Sequence, residues 1–192
     1  GEQTSNAVKK FAKECSMTLK VLEESTQWAN LAERYIGLLK AGVKNDMHHS
    51  NCPIVLWDYC IERRVRVHNV TARDSLALDN QNPTMVTTGD VADISNLGRY
   101  DFYEAIYYWE NKHQFPMPTL RIGRALGPTK YEGNEMAQYV LDSNGRVLPR
   151  RSTKPIPPEH LRTDNLKERL KIFDACIKAK LGDSMNKSNV KI

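Results

Sequence analysis

Cysteine is scarce and scattered in this sequence: Cys15, Cys52, Cys60 and Cys176 are the four among 192 residues, and no two form a Cys-x-x-Cys pair. That spacing argues against a disulfide framework, and with no secretory signal pattern ahead of Cys15 we expect reduced thiols in an intracellular protein. His48-His49 followed by Cys52 gathers metal-ligating types, yet no second ligand pair follows at zinc-site spacing. There is no apolar run of about 18 residues, the length a membrane-spanning helix needs, and no internal repeat. A starting methionine is also missing. Gly1-Glu2-Gln3-Thr4 leads straight into a helical pattern, so the chain reads as a fragment of a longer protein.

What is present is enough apolar material for a core, with 40% hydrophobic residues, and an uneven charge. The net charge is +5, from 28 Lys+Arg against 23 Asp+Glu. Residues 146–192 hold 12 basic against 5 acidic, which leaves 16 against 18 for residues 1–145. The +7 excess of the last 47 residues suits contact with phosphate or another acidic surface, and it equally suits a solvated helix face.

Along the chain, Ala7, Val8, Phe11 and Cys15 recur at helical spacing, and Met17 to Leu22 alternates like a short strand. A second helix runs from Asn30 through Leu31, Tyr35, Leu38, Leu39 and Val43. A third, capped by Asn51 with Pro53 in its first turn, runs through Leu56, Trp57, Cys60 and Ile61 towards Val67. Thr71 to Gly98 has the composition of a connection. Beyond it the β-prone stretches Asp101–Glu110, Leu120–Leu126, Ala137–Asp142 and Arg146–Arg151 predict a small barrel, with Ser143-Asn144-Gly145 as a hairpin turn. Lys154-Pro155-Ile156-Pro157-Pro158 stiffens a linker. A last helix carries Leu166, Leu170, Phe173, Ile177 and Leu181 on one stripe, with Asn165 and Glu168 as a capping pair and Gly182 as its stop.

The most informative stretch is Gln27-Trp28-Ala29-Asn30-Leu31-Ala32-Glu33, with Ile36, Leu39 and Lys40 after it. It resembles the W-Q-N-x-A-E-x-x-I-x-x-L-K run of DDE-type integrases from retroviruses and long-terminal-repeat retrotransposons. Phe11 to Glu24 resembles the helix and strand that precede this glutamate in the ribonuclease-H-like core. Leu56-Trp57-Asp58-Tyr59-Cys60 resembles the L-W-D-Y-C helix that follows it in copia-type elements. Asp93-Ile94-Ser95-Asn96-Leu97 is similar to their D-I-S-x-L entry into a small Src-homology-3-like barrel. Phe102-Tyr103-Glu104-Ala105 departs from the F-G-C of many relatives, which leaves the subfamily open.

The resemblance implies a parent polyprotein whose integrase holds two Mg²⁺ (or Mn²⁺) ions on two aspartates and one glutamate and performs DNA strand transfer in the nucleus as a homo-oligomer. Carboxylates suit that work because Mg²⁺ is a hard ion, and two such ions stabilise the attacking and leaving oxygens together. Glu33 matches the catalytic, metal-binding glutamate. The family's two aspartates would lie upstream of Gly1, so this chain by itself is expected to be inactive. Asn30 to Glu33 also reads as a capping box, a role compatible with metal binding.

Lys40 and Lys44 continue the face of Glu33 and match the surface that meets the DNA end. Arg146, Arg150, Arg151 and Lys154 match the basic surface with which integrase barrels hold DNA; charge guarding an edge strand is the alternative. Tyr107, Tyr108 and Trp109 could stack bases or fill a core.

The expected architecture is α+β: a truncated ribonuclease-H-like half domain over residues 1–76, a linker over 77–98, a Src-homology-3-like barrel over 99–156 and a basic helical tail over 157–192. Its expected activity is nucleic-acid binding. The alternatives are a non-catalytic binding module with Glu33 as a cap, and an assembly module whose Leu166 to Leu181 stripe packs a partner helix.

Overall fold

A computed structural model describes residues 6–18, 30–72, 78–91, 93–110, 119–130 and 136–183. The strand expected over Met17 to Leu22 falls largely outside them. The chain divides into two compact units, residues 1–38 and 39–192. The described residues are α+β, with six helices and a five-stranded antiparallel sheet.

In the first unit, α1 (Asn6–Glu14) buries Ala12 and ends where Ser16 takes a left-handed φ of 54°. The helix α2 (Leu31–Ser50) starts in this unit. Asn30 Oδ1 accepts the Glu33 backbone N–H at 3.4 Å, which caps an otherwise orphaned donor of the first turn.

In the second unit α2 ends at Asn51, whose φ of 53° is the left-handed conformation that asparagine tolerates better than most residues. This corrects the expectation that Asn51 caps the next helix. That helix instead begins with a 3₁₀ turn, Ile54–Leu56, which runs into α3 (Trp57–Val70) with Leu56 at its N-cap and no side-chain cap. The expected connection over Thr71 to Gly98 holds a further helix, α4 (Pro83–Thr88). Asn82 Oδ1 accepts from Met85 N–H at 2.8 Å, Pro83 occupies the first turn, and Gly89 ends it at φ 79°.

The sheet comprises β1 (Ala105–Trp109), β2 (Leu120–Pro128), β3 (Gln138–Leu141), β4 (Val147–Arg150) and β5 (Thr153–Pro155), in the order β4-β3-β2-β1-β5. The two edge strands are neighbours in the chain, separated by Arg151 and Ser152 alone. In a flat sheet four strand spacings would hold them about 19 Å apart, whereas three Cα steps reach about 11 Å at most. The sheet must therefore curl until its edges approach. It does not close, because β4 and β5 are both terminal in the hydrogen-bonded order; the expected barrel is a curled, open sheet. Pro149 on β4 and Pro155 on β5 each remove a donor from an edge, a common guard against pairing with another chain.

The β3–β4 connection is the expected hairpin. Gly145 N–H donates to Asp142 C=O at 3.0 Å and Asp142 N–H to Arg146 C=O at 2.9 Å, around a three-residue loop with Gly145 at φ 77°. The Asp142 carboxylate accepts the Asn144 and Arg146 backbone N–H groups, both at 2.8 Å.

The pleat sorts the core. Ile106, Tyr108, Ala125 and Val140 point to one face with Tyr100, and Gly123 there has no room for a Cβ, which would lie 2.9 Å from the Leu141 carbonyl oxygen. The opposite face carries Ala105, Tyr107 and Leu141. It is covered by α5 (Pro158–Arg162), α6 (Asp164–Leu181), α3 and the end of α2. Met47, Cys52, Leu56, Cys60, Leu126, Phe173 and Ile177 form one continuous core across these elements.

Helix α6 begins after Thr163, which stands at its N-cap without a side-chain cap bond because its hydroxyl donates to His160 C=O at 2.6 Å. The expected Asn165–Glu168 capping pair lies inside the helix. Gly182, at φ 86°, is its stop as expected. Leu166, Phe173 and Ile177 are buried, with Leu170 and Leu181 half-buried beside them, so the apolar stripe packs on this chain's own sheet.

Candidate nucleic-acid interface

Glu33 is exposed in the first turn of α2, and among the described residues no side-chain partner holds its carboxylate. It offers hard oxygen donors of the kind Mg²⁺ takes, but among the described residues no group of three potential ligands surrounds any point. The His48, His49 and Cys52 cluster forms no such group either. Both histidines are exposed, whereas Cys52 is fully buried and its thiol is pushed up to about 11, chiefly by burial. Lys40 and Lys44 are exposed on α2, with no carboxylate partner among the described residues.

The structure separates the four cations expected to act together after Gly145. Arg146 is exposed and closes an ion pair on the buried Asp142 at 3.1 Å, which commits much of its charge to the hairpin. Arg150 is half-buried on the Tyr108 side of the sheet, its guanidinium 6.0 Å from the centre of the Tyr108 ring and its Nη1 donating to Pro149 C=O. Arg151 is exposed, and its side chain has no partner among the described residues. Lys154 is exposed on the opposite face, where β5 pairs with β1 and sets Lys154 across from Tyr107. Its ammonium lies 5.7 Å from the Tyr107 ring centre and 5.2 Å from that of Trp109. Strand alternation is the reason: Tyr108 and Tyr107 point to opposite sides of β1, and each draws its own cation.

Alternation also decides the aromatics. Tyr107 and Tyr108 are buried, and burial raises the Tyr108 hydroxyl, with the charges of Asp142 and Glu110 adding to the effect. Trp109, at the strand's end, stays half-exposed.

Sequence reasoning missed a groove beside the hairpin, of about 520 Å³, between Arg121 on β2, Asn144 and Arg169 on α6. Arg121 donates its Nε–H to Glu110 at 3.2 Å, while Arg169 has no ion pair among the described residues. No sequence signal could have joined them, since they lie on elements that meet only after α6 packs on the sheet. Across the whole chain, comparison with family models, curated proteins and solved structures finds no match.

Proposed function

We propose that this chain is a nucleic-acid-binding part of a DDE-type integrase, encoded within a copia-like retrotransposon polyprotein and supplying Glu33 to a site completed elsewhere in the full-length parent. The observation that carries its own activity is the pair of exposed cations Arg151 and Lys154. They flank the turn into edge strand β5 with no ion pair to a carboxylate among the described residues, beside the half-buried ring of Trp109. Such a cationic edge gains free energy from DNA by releasing the counterions condensed on phosphates.

The ordered motifs around Glu33, Leu56 to Cys60 and Asp93 to Leu97 support the parent's identity, and with it the ribonuclease-H-like and Src-homology-3-like ancestry of the two parts. In that parent Mg²⁺ or Mn²⁺ would supply the Lewis acid for phosphodiester attack. Glu33 fits as one ligand, its carboxylate held by no partner among the described residues while its backbone N–H is capped by Asn30. DNA is the partner, and nuclear location and homo-oligomerisation follow from the same reading. The stripe that an assembly module would present is already covered by the chain's own sheet.

Fluorescence anisotropy of a labelled duplex at several salt concentrations tests this. Affinity should fall with salt at a log–log slope of about −0.9 per phosphate contacted. Arg151→Ala with Lys154→Ala should weaken binding and flatten the slope by up to about two units, whereas Glu33→Gln should leave binding unchanged. Binding indifferent to the paired substitution would remove this edge as the DNA-holding surface.

A further inference from the structure

We propose that Trp109 and Lys154 form a stacking site for one unpaired base of a single-stranded nucleic acid, an inference that rests on the nucleic-acid reading above and narrows it to single strands. Tyr107 and Trp109 stand two residues apart on the same face of β1. The Tyr107 ring is committed: it is buried with Ile156 and Leu166, and the His160 ring meets it nearly edge-on at 6.3 Å. Trp109 is not covered in this way. Its backbone N–H is tied to Ser152 C=O at 3.1 Å, which fixes the ring's base, while the ring itself stays half-exposed under the Lys154 ammonium.

A cation over a partly exposed ring is held more weakly than a base stacked on the same ring. An incoming base therefore displaces the ammonium from Trp109. Lys154, on its flexible four-carbon stem, then turns to the adjoining phosphate, and the exposed Arg151 supplies a second contact on the same turn. A paired base inside a duplex has both faces covered by its neighbours and cannot enter. An extended peptide is disfavoured for a different reason: β5 is three residues long and ends in Pro155, so the edge offers little backbone for strand addition.

The test uses the whole chain carrying Trp28→Phe and Trp57→Phe, which leaves Trp109 as the sole tryptophan. Its emission is followed on titration with a short oligothymidylate, the same strand annealed to its complement, and heparin as a polyanion without bases. We expect saturable quenching by the single strand and little by the duplex or heparin. In anisotropy, Trp109→Ala should weaken single-strand binding about tenfold, and Trp109→Phe, which keeps a stacking ring and the sheet edge, should restore most of it. Lys154→Met should reduce the magnitude of the single-strand salt slope by about 0.7. Equal quenching by heparin would overturn the stacking site, as would bound oligothymidylate with unchanged Trp109 emission, and in the latter case the broader nucleic-acid reading survives. Absence of binding to any of the three polymers would remove both.

Discussion

Arg124 on β2 and Asp174 on α6 are joined through one guanidinium nitrogen, Nη2, which lies 2.7 and 2.8 Å from the two carboxylate oxygens. The same guanidinium lies 4.9 Å from the Tyr103 ring centre and 5.9 Å from that of Phe173. A charge-assisted contact held between two rings fixes where the helix crosses the sheet. Arg124→Ala should cost about 2 kcal/mol in urea denaturation, since it removes packing as well as charge. Because Asp174 is half-exposed, a double-mutant cycle with Asp174→Ala should return a coupling of about 1 kcal/mol. A coupling near zero would show that the pair contributes nothing to the docking of α6.

The α6 stripe makes a sharper distinction between two isoleucines. Ile177 is 1% exposed in the main core, whereas Ile172 is 57% exposed on the same helix. Ile177→Ala should destabilise the fold by about 3 kcal/mol and Ile172→Ala by less than about 0.5 kcal/mol. Similar small losses in both would mean that the helix is an independent tail.

At the hairpin, Gly145→Ala should cost about 1 kcal/mol. The strain is in the backbone, because φ is +77° while an added Cβ would meet Leu181 and Lys180 at an ordinary 3.5 Å. Asp142→Ala should cost more, about 2 kcal/mol, since it strips the acceptors from two backbone N–H groups and from Arg146. Thermal melts of the two variants that ranked in the reverse order would contradict this account of the loop.

The buried thiols give a pH dependence of definite sign. Burial is the main cause that raises Cys52 from 9.0 to about 11 and Cys60 from 9.0 to about 12. Between pH 9 and those values the folded chain keeps protons that the unfolded chain has lost, so this contribution to stability is complete below pH 9 and declines as pH rises towards 11 and 12. Titration with a thiol reagent at pH 8 should label the exposed Cys15 readily and the half-exposed Cys176 more slowly, leaving Cys52 and Cys60 unmodified until denaturant is added. Rapid labelling of all four thiols in the native protein would refute the buried core around α3.

Features governed by neighbouring residues were legible before folding. The Leu166, Phe173 and Ile177 spacing marked the inward stripe of α6, Gly182 marked its end, and Asn144-Gly145 marked the hairpin, because each depends on local periodicity or on a residue's own φ. The caps were misplaced where two local signals compete. Asn51 suits a left-handed helix end as well as an N-cap, and Thr163 takes the N-cap position although its hydroxyl is engaged with His160. Helix α4 was hidden because its six residues are too few to show a period, although Asn82, Pro83 and Gly89 each signal a terminus.

The sequence by itself determined that there would be β-prone stretches after Asp101, a basic end, and a glutamate in the first helical turn after a capping asparagine. Only the tertiary structure decided which cations share a surface. Arg150 and Lys154 lie four residues apart and read as one cluster, yet the turn at Arg151 and Ser152 carries the chain from one sheet edge to the other. The pleat of β1 then directs Tyr108 to one cation and Tyr107 to the other. Charge composition belongs to the chain, but a binding surface depends on curl, register and facing, which exist only once non-local strands have paired.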